Sequence, residues 1–123
     1  MKQRDFDLLT GIVEVAGNIE GFASRGREEL DREVLVQYAV AHALVLTGEA
    51  AGKLSMELRE RYPDVPWRQI VALRNIVVHE YDRIDLDVVW DVVEREVPRL
   101  AERVRTILAG DPAEPDGDTA RAD

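Results

Sequence analysis

The stretch "VLVQYAVAHALVLTG", Val34–Gly48, decides the fold. It holds no formally charged residue, in a chain where 33% of residues are charged, and its apolar side chains run nearly all round a helical wheel. Its 15 residues include Gln37, Tyr38 and His42. That is too short and too polar for a bilayer span, which takes about 20 apolar residues. The stretch therefore reads as the middle of the most buried helix of a bundle, within one longer helix through "ELDREVLVQYAVAHALVLTGEAAGKLSMEL".

Toward the N-terminus, Phe6, Leu9, Ile12, Val13, Ala16, Ile19 and Phe22 recur every three or four residues, the apolar face of an amphipathic first helix. "SRGRE", with Gly26, ends it. Toward the C-terminus, "RYPDVPW" is a turn, because Pro63 and Pro66 fix φ and withhold donors. A third helix is predicted from Pro66 or Trp67 through "RQIVALRNIVVHE". The β-branched run Ile76–Val78 would also suit a strand. The helix is preferred because Ile70, Leu73 and Val77 keep helical spacing and no partner strand is visible. Asp85 or Asp87 is the candidate N-cap of a last helix, "VVWDVVEREVPRLAERVRTIL", which Pro98 is expected to kink. The expected architecture is all-α, an antiparallel bundle of four to five helices. It fills residues 1–109, followed by an acidic, Gly/Pro/Asp-rich tail over 110–123 with no packed structure. There are no internal repeats.

A chain of 123 residues has room for one core. It has no cysteine, which excludes disulfides, thiolate metal sites and cysteine nucleophiles, and fits a reducing compartment. The start "MKQRDFDLLTGIVEV" places charges where a signal peptide needs an apolar run, so a cytoplasmic location off the membrane is expected. The net charge of −9 argues against a broad polyanion-binding surface. Five acids and one arginine in the last 14 residues supply −4 of it. A nucleic-acid contact is then local, through a few arginines in a groove.

The chemistry-bearing residues cluster in "RNIVVHEY", Arg74–Tyr81. On a regular wheel the neighbours of Arg74 are Ile70, Val71, Val77 and Val78, all aliphatic. An unpaired guanidinium there is costly, so it needs an anion. A carboxylate such as Glu49 could supply one, the side chain could snorkel to water, or the arc could face something other than the core. Asn75 and His79 share a face at i, i+4. Arg74 and His79, five apart, diverge by roughly 140° on a straight helix. Both reach one small group only if the helix loosens or if two copies of the chain build one cleft. Where they converge, an arginine fork can hold a phosphodiester. A neutral histidine can then take a proton near neutral pH. In RNA that proton is the 2′-OH proton, and no metal is needed. A histidine near a helix end is more often a capping or packing residue, and both readings stand from spacing alone. His42 reads as a core or interface histidine, and two distant histidines do not make a metal site. Arg95, Arg99 and Arg103 form a stripe that could meet a phosphate backbone, but Asp91, Glu96 and Glu102 at pairing distance favour a solvated, salt-bridged face.

"WRQIVALRNIVVHEYDRIDLDVVWDVVEREVPRL", Trp67–Leu100, resembles the HepT-like branch of the HEPN superfamily. Its arginine, four residues, histidine, one residue, tyrosine signature is matched by Arg74, His79 and Tyr81, with Asn75 as the usual polar residue after the arginine. "TGEAAGKLS", Thr47–Ser55, and "YPDVPW" are also similar, and the likeness spans most of residues 5–108. The resemblance implies an all-helical HEPN-like protein that forms a homodimer or higher oligomer, with its motifs at the dimer cleft. It implies a metal-independent RNA endonuclease, the toxin of a type VII toxin–antitoxin pair, needing no cofactor. Its partner would be an MntA-like minimal nucleotidyltransferase antitoxin that transfers AMP to the motif tyrosine. Carried over, Arg74 holds the scissile phosphate, Asn75 assists, His79 is acid or base and Tyr81 is the modification target. The alternative is a non-catalytic helical dimer module that binds a nucleotidyltransferase or a nucleotide.

Overall fold

The structure, a computed structural model, describes residues 1–76 and 85–115. Among these residues it is all α-helical. The elements are α1 (Gln3–Ala23), α2 (Arg27–Arg32), α3 (Val34–Gly52), α4 (Met56–Arg61), α5 (Trp67–Val71), α6 (Leu73–Ile76), α7 (Leu86–Asp91) and α8 (Val97–Gly110). A five-residue π turn, Val92–Glu96, joins α7 to α8.

The run expected as one helix from Glu29 to Leu58 is three. Glu33 adopts an extended conformation (φ −100°, ψ 109°) between α2 and α3. Gln37 then donates back to the Leu30 carbonyl, so the bend satisfies groups that a straight helix would have used internally. After α3, Ser55 opens α4 as an N-cap, its hydroxyl accepting from the Leu58 N–H at 3.1 Å. Asp85 caps α7 in the same way, accepting from the N–H groups of Asp87 and Val88.

Long-range polar contacts set the directions of the helices. Asp5, near the start of α1, bonds Ser55 just beyond the end of α3. The Met1 α-ammonium lies 2.7 Å from Asp111, just beyond the end of α8. So α1 runs antiparallel to both helices. Between them a single core forms from Leu9, Ile12 and Ile19 of α1, Val40 and Leu44 of α3, Ile70 and Leu73 of α5–α6, and Val89, Val93, Val104 and Ile107 of the last arm. Burying each such side chain is worth about 1.5–3 kcal/mol.

Pro98 falls in the first turn of α8, with the π turn immediately ahead of it. A proline there lacks the N–H that would bond the Glu94 carbonyl and crowds that carbonyl with its ring. A wide π turn takes up the mismatch while the backbone stays in the right-handed region at Val92 and Val97. Residues 116–123 of the acidic tail lie outside the described residues. Ahead of them Asp111 is tied down, accepting from Arg61 at 2.8 Å and from the Tyr62 hydroxyl at 2.7 Å.

The stretch Val34–Gly48 is helical, but α3 is not buried all round. Val36, Val40, Ala43 and Leu44 face the core. Leu35 and Tyr38 are 80% and 64% exposed, and Val34, His42 and Leu46 are exposed with them. The 19-residue helix also runs four residues past the uncharged stretch. By length and composition alone it could cross a membrane, although its inner face is packed on the rest of the bundle.

Candidate active site

The arm that carries Arg74 and Asn75 starts at Trp67, whose indole N–H donates to the Tyr62 carbonyl at 2.9 Å. Trp67, Ile70 and Leu73 are buried and anchor the arm in the core. The helix does not run straight through. Its hydrogen-bond ladder stops at Ala72, and the Asn75 N–H bonds the Ala72 carbonyl at 2.9 Å in a tighter turn.

The interruption lies against Gly48 of α3. A β-carbon at Gly48 would sit 2.7 Å from the Arg74 nitrogen, 3.0 Å from the Val71 carbonyl oxygen and 3.1 Å from that of Ile70. Main chain there meets main chain, and any side chain at 48 would separate the two helices. One turn on, a β-carbon at Gly52 would lie 3.4 Å from Nη1 of Arg74. The guanidinium is thus laid over α3 where α3 has no side chain. Neither glycine has a positive φ, since Gly26 is the residue that does, so both are there for space. Each costs a helix about 0.5–1 kcal/mol relative to alanine.

Of the aliphatic neighbours expected for Arg74, Val77 and Val78 lie outside the described residues, while Val71 does lie beside it, both side chains coming within 4 Å of where a β-carbon at Gly52 would sit. The wheel assumed one regular helix from Ile70 to Val78, and the helix is instead interrupted at Ala72. Ile70 faces the core, while Arg74 and Asn75 are exposed. Arg74 forms no ion pair with Glu49, nor with any other described residue. His79 and Tyr81, expected as acid or base and as modification target, lie outside the described residues, as do Val77 and Val78.

His42 is not a core residue. It is exposed on α3 between Tyr38 and Leu46. The arginine stripe of the last arm is partly paired. Arg95 meets Asp91 at 3.3 Å, as spacing suggested. Arg103 instead reaches across to Asp64 in the α4–α5 turn, with bonds of 2.6 and 3.2 Å, and lies 5.6 Å above the Tyr62 ring. The Arg103 guanidinium holds the Asp64 carboxyl below its ordinary range.

A cleft of about 430 Å³ opens between α5–α6 and the π turn with α8. Val65, Ile70, Leu73, Val97 and Leu100 contribute to its apolar lining, and Asp64, Glu96, Arg99 and Arg103 supply charges. No candidate catalytic residue among those described lines it. Among the described residues no group of three or more His, Asp or Glu side chains is placed to hold a metal ion. Sequence reasoning missed Gly48 and Gly52. Their i, i+4 spacing inside "TGEAAG" was the available signal, and a helical glycine pair without positive φ marks close helix approach.

The family profile described as "Ribonuclease HepT-like" matches residues 12–107. The chain is 34% identical over 109 residues to "Putative RNase MJ1380" of Methanocaldococcus jannaschii, covering 87% of this chain and 100% of that protein. It is 32% identical over 104 residues to "Probable ribonuclease HepT" of Thermococcus cleftensis, covering 81% and 92% of the two chains. No solved structure matches with significance.

Proposed function

This chain belongs to the HepT-like ribonuclease family, and from that premise we propose that it is a metal-independent RNA endonuclease whose site is built on Arg74, Asn75 and His79. The observation that carries the reading is Arg74: an exposed guanidinium with no ion-pair partner among the described residues, laid over α3 and followed by an exposed Asn75. Its fork offers two parallel N–H donors to the non-bridging oxygens of a phosphodiester. Asn75 assists in orienting that group. His79 takes the 2′-OH proton, the 2′-oxygen attacks the adjacent phosphorus, the bond from phosphorus to the 5′-oxygen breaks, and that oxygen takes a proton from water. The products are a 2′,3′-cyclic phosphate and a 5′-hydroxyl.

The proposal extends to control. The chain acts as a toxin whose partner is an MntA-like minimal nucleotidyltransferase. The Tyr81 phenolic oxygen attacks the α-phosphorus of ATP, pyrophosphate leaves, and AMP stays on the tyrosine. The added bulk and negative charge, two residues from His79, repel an incoming RNA backbone. The toxin works in the cytoplasm as a homodimer. Support for the dimer comes from α3: two copies, each with net charge −9, can meet without strong repulsion on an uncharged apolar face.

The test is cleavage of total RNA by purified protein in EDTA, with Tyr81 shown by intact mass to be unmodified. Cleavage that persists in the chelator and disappears in His79→Ala is expected. A second reading is a non-catalytic dimer that binds the nucleotidyltransferase or a nucleotide; the acidic net charge, which works against an RNA substrate, weighs toward the protein partner. Absence of cleavage by unmodified protein, with partner binding intact, would select it.

A further inference from the structure

We propose that Gly52 is a positioning residue for Arg74, and that Gly48 seats the main chain from which Arg74 projects. The inference rests on the reading of Arg74 as the phosphate-holding residue. Neither glycine is required by its own backbone, because φ is not positive at either position. What distinguishes them is what their missing β-carbons would meet. At Gly48 it is backbone, with Arg74 N at 2.7 Å, so the α5–α6 junction can lie this close only where α3 has no side chain. At Gly52 it is the guanidinium itself, at 3.4 Å from Nη1, with Val71 Cγ1 at 3.7 Å. The helical glycines of α1 show that this is particular to α3: β-carbons at Gly11, Gly17 and Gly21 would meet nothing within 4 Å.

The two sites divide the work. Gly48 sets where the Arg74 backbone enters. Gly52 gives the planar guanidinium a flat bed on the helix, which restricts its rotamers before any phosphate arrives. A side chain at 52 lifts the fork out of that bed and otherwise meets only the half-buried Val71 within 4 Å of its β-carbon. Misplacing a phosphate-holding group by about 1 Å costs on the order of 100-fold in rate.

Four proteins test this in a cycle: wild type, Gly52→Leu, Arg74→Ala and the double variant, with Gly21→Leu as the control for adding leucine to an open helical glycine. Two quantities are read, RNA cleavage in EDTA and the Arg74 Nε–Hε NMR resonance, assigned by its loss in Arg74→Ala. Gly52→Leu is expected to lower cleavage on the order of 100-fold, to add no loss on the Arg74→Ala background, and to shift the Arg74 resonance. Gly21→Leu is expected to do none of these. Gly52→Ala, a smaller intrusion, moves the same resonance in the same direction, and serves if the leucine variant does not fold. An unmoved Arg74 resonance in the Gly52 variants, or an equal further loss on the Arg74→Ala background, overturns the proposal. Full cleavage by Arg74→Ala would instead remove Arg74 from the catalytic reading, and the NMR shift alone would then decide whether Gly52 positions it.

Discussion

Asp5 accepts two hydrogen bonds from Ser55, fifty residues later, one from its N–H at 2.9 Å and one from its hydroxyl at 2.6 Å. Asp5 is buried, 3% exposed, and Ser55 also caps α4. One pair therefore joins the start of α1 to the α3–α4 corner. Asp5→Ala is expected to destabilise the fold by about 1–3 kcal/mol, because Ser55 loses its acceptor in a largely buried place. Ser55→Ala should cost about as much, since the Asp5 carboxylate then keeps only the backbone N–H and the cap is lost. Denaturant titrations of both variants and the double variant check this, and the losses should fall short of additive.

Asp111 gathers the Met1 α-ammonium, Tyr62 and Arg61 around one carboxylate, and the ammonium bond is the largest of the influences that hold its pKa far below the ordinary range. A depressed folded-state pKa means stabilisation that is complete above the unfolded value of about 3.9 and is lost as pH falls through the folded value. Asp111→Asn should therefore lower Tm at neutral pH. The difference from wild type should shrink steadily below about pH 4. A difference that is flat with pH would show that the contacts, not the charge, matter.

Leu35 and Tyr38 stand 80% and 64% exposed on α3. Leu35→Glu and Tyr38→Glu are expected to convert a dimer to a monomer in light scattering, with helicity unchanged because neither side chain enters the core. A wild-type protein that is monomeric at high concentration contradicts the proposed homodimer.

Arg74 is exposed and outside the core, so Arg74→Ala should change stability by no more than about 0.5 kcal/mol. It should nevertheless weaken RNA binding and reduce the slope of log K against log salt by about 1. Arg74→Lys keeps the charge but not the two-pronged donor, and should leave binding closer to wild type than cleavage.

The helical class was legible because the first helix repeats its apolar residues at 3, 4 and 7, and Leu9, Ile12, Ala16 and Ile19 are indeed buried. A cap at Asp85 or Asp87 was legible because acid-before-apolar is local chemistry, and Asp85 is the residue that caps. What was not legible depended on partners distant in sequence. Nothing near Asp5 announces Ser55, and Arg103 finds Asp64 rather than a helical neighbour. The breaks at Glu33 and Ala72 arise where packing against other helices outweighs a continuous ladder. The wheel set Arg74 beside Val71, and both lie against Gly52, but it carried 3.6-residue periodicity through the interruption at Ala72, where Gly48 meets the main chain. The family likeness was legible from Arg74, Asn75, His79 and Tyr81 in their setting. The convergence of Arg74 with His79 lies outside the described residues.

In the proposed reaction the 2′-oxygen of RNA, activated without a metal, breaks the chain. The most direct test is the chemistry of the ends left by cleavage in EDTA with unmodified protein. A 2′,3′-cyclic phosphate and a 5′-hydroxyl, absent with His79→Ala, are the predicted result. Fragments bearing a 5′-phosphate and a 3′-hydroxyl, or cleavage that requires added divalent metal, would contradict it.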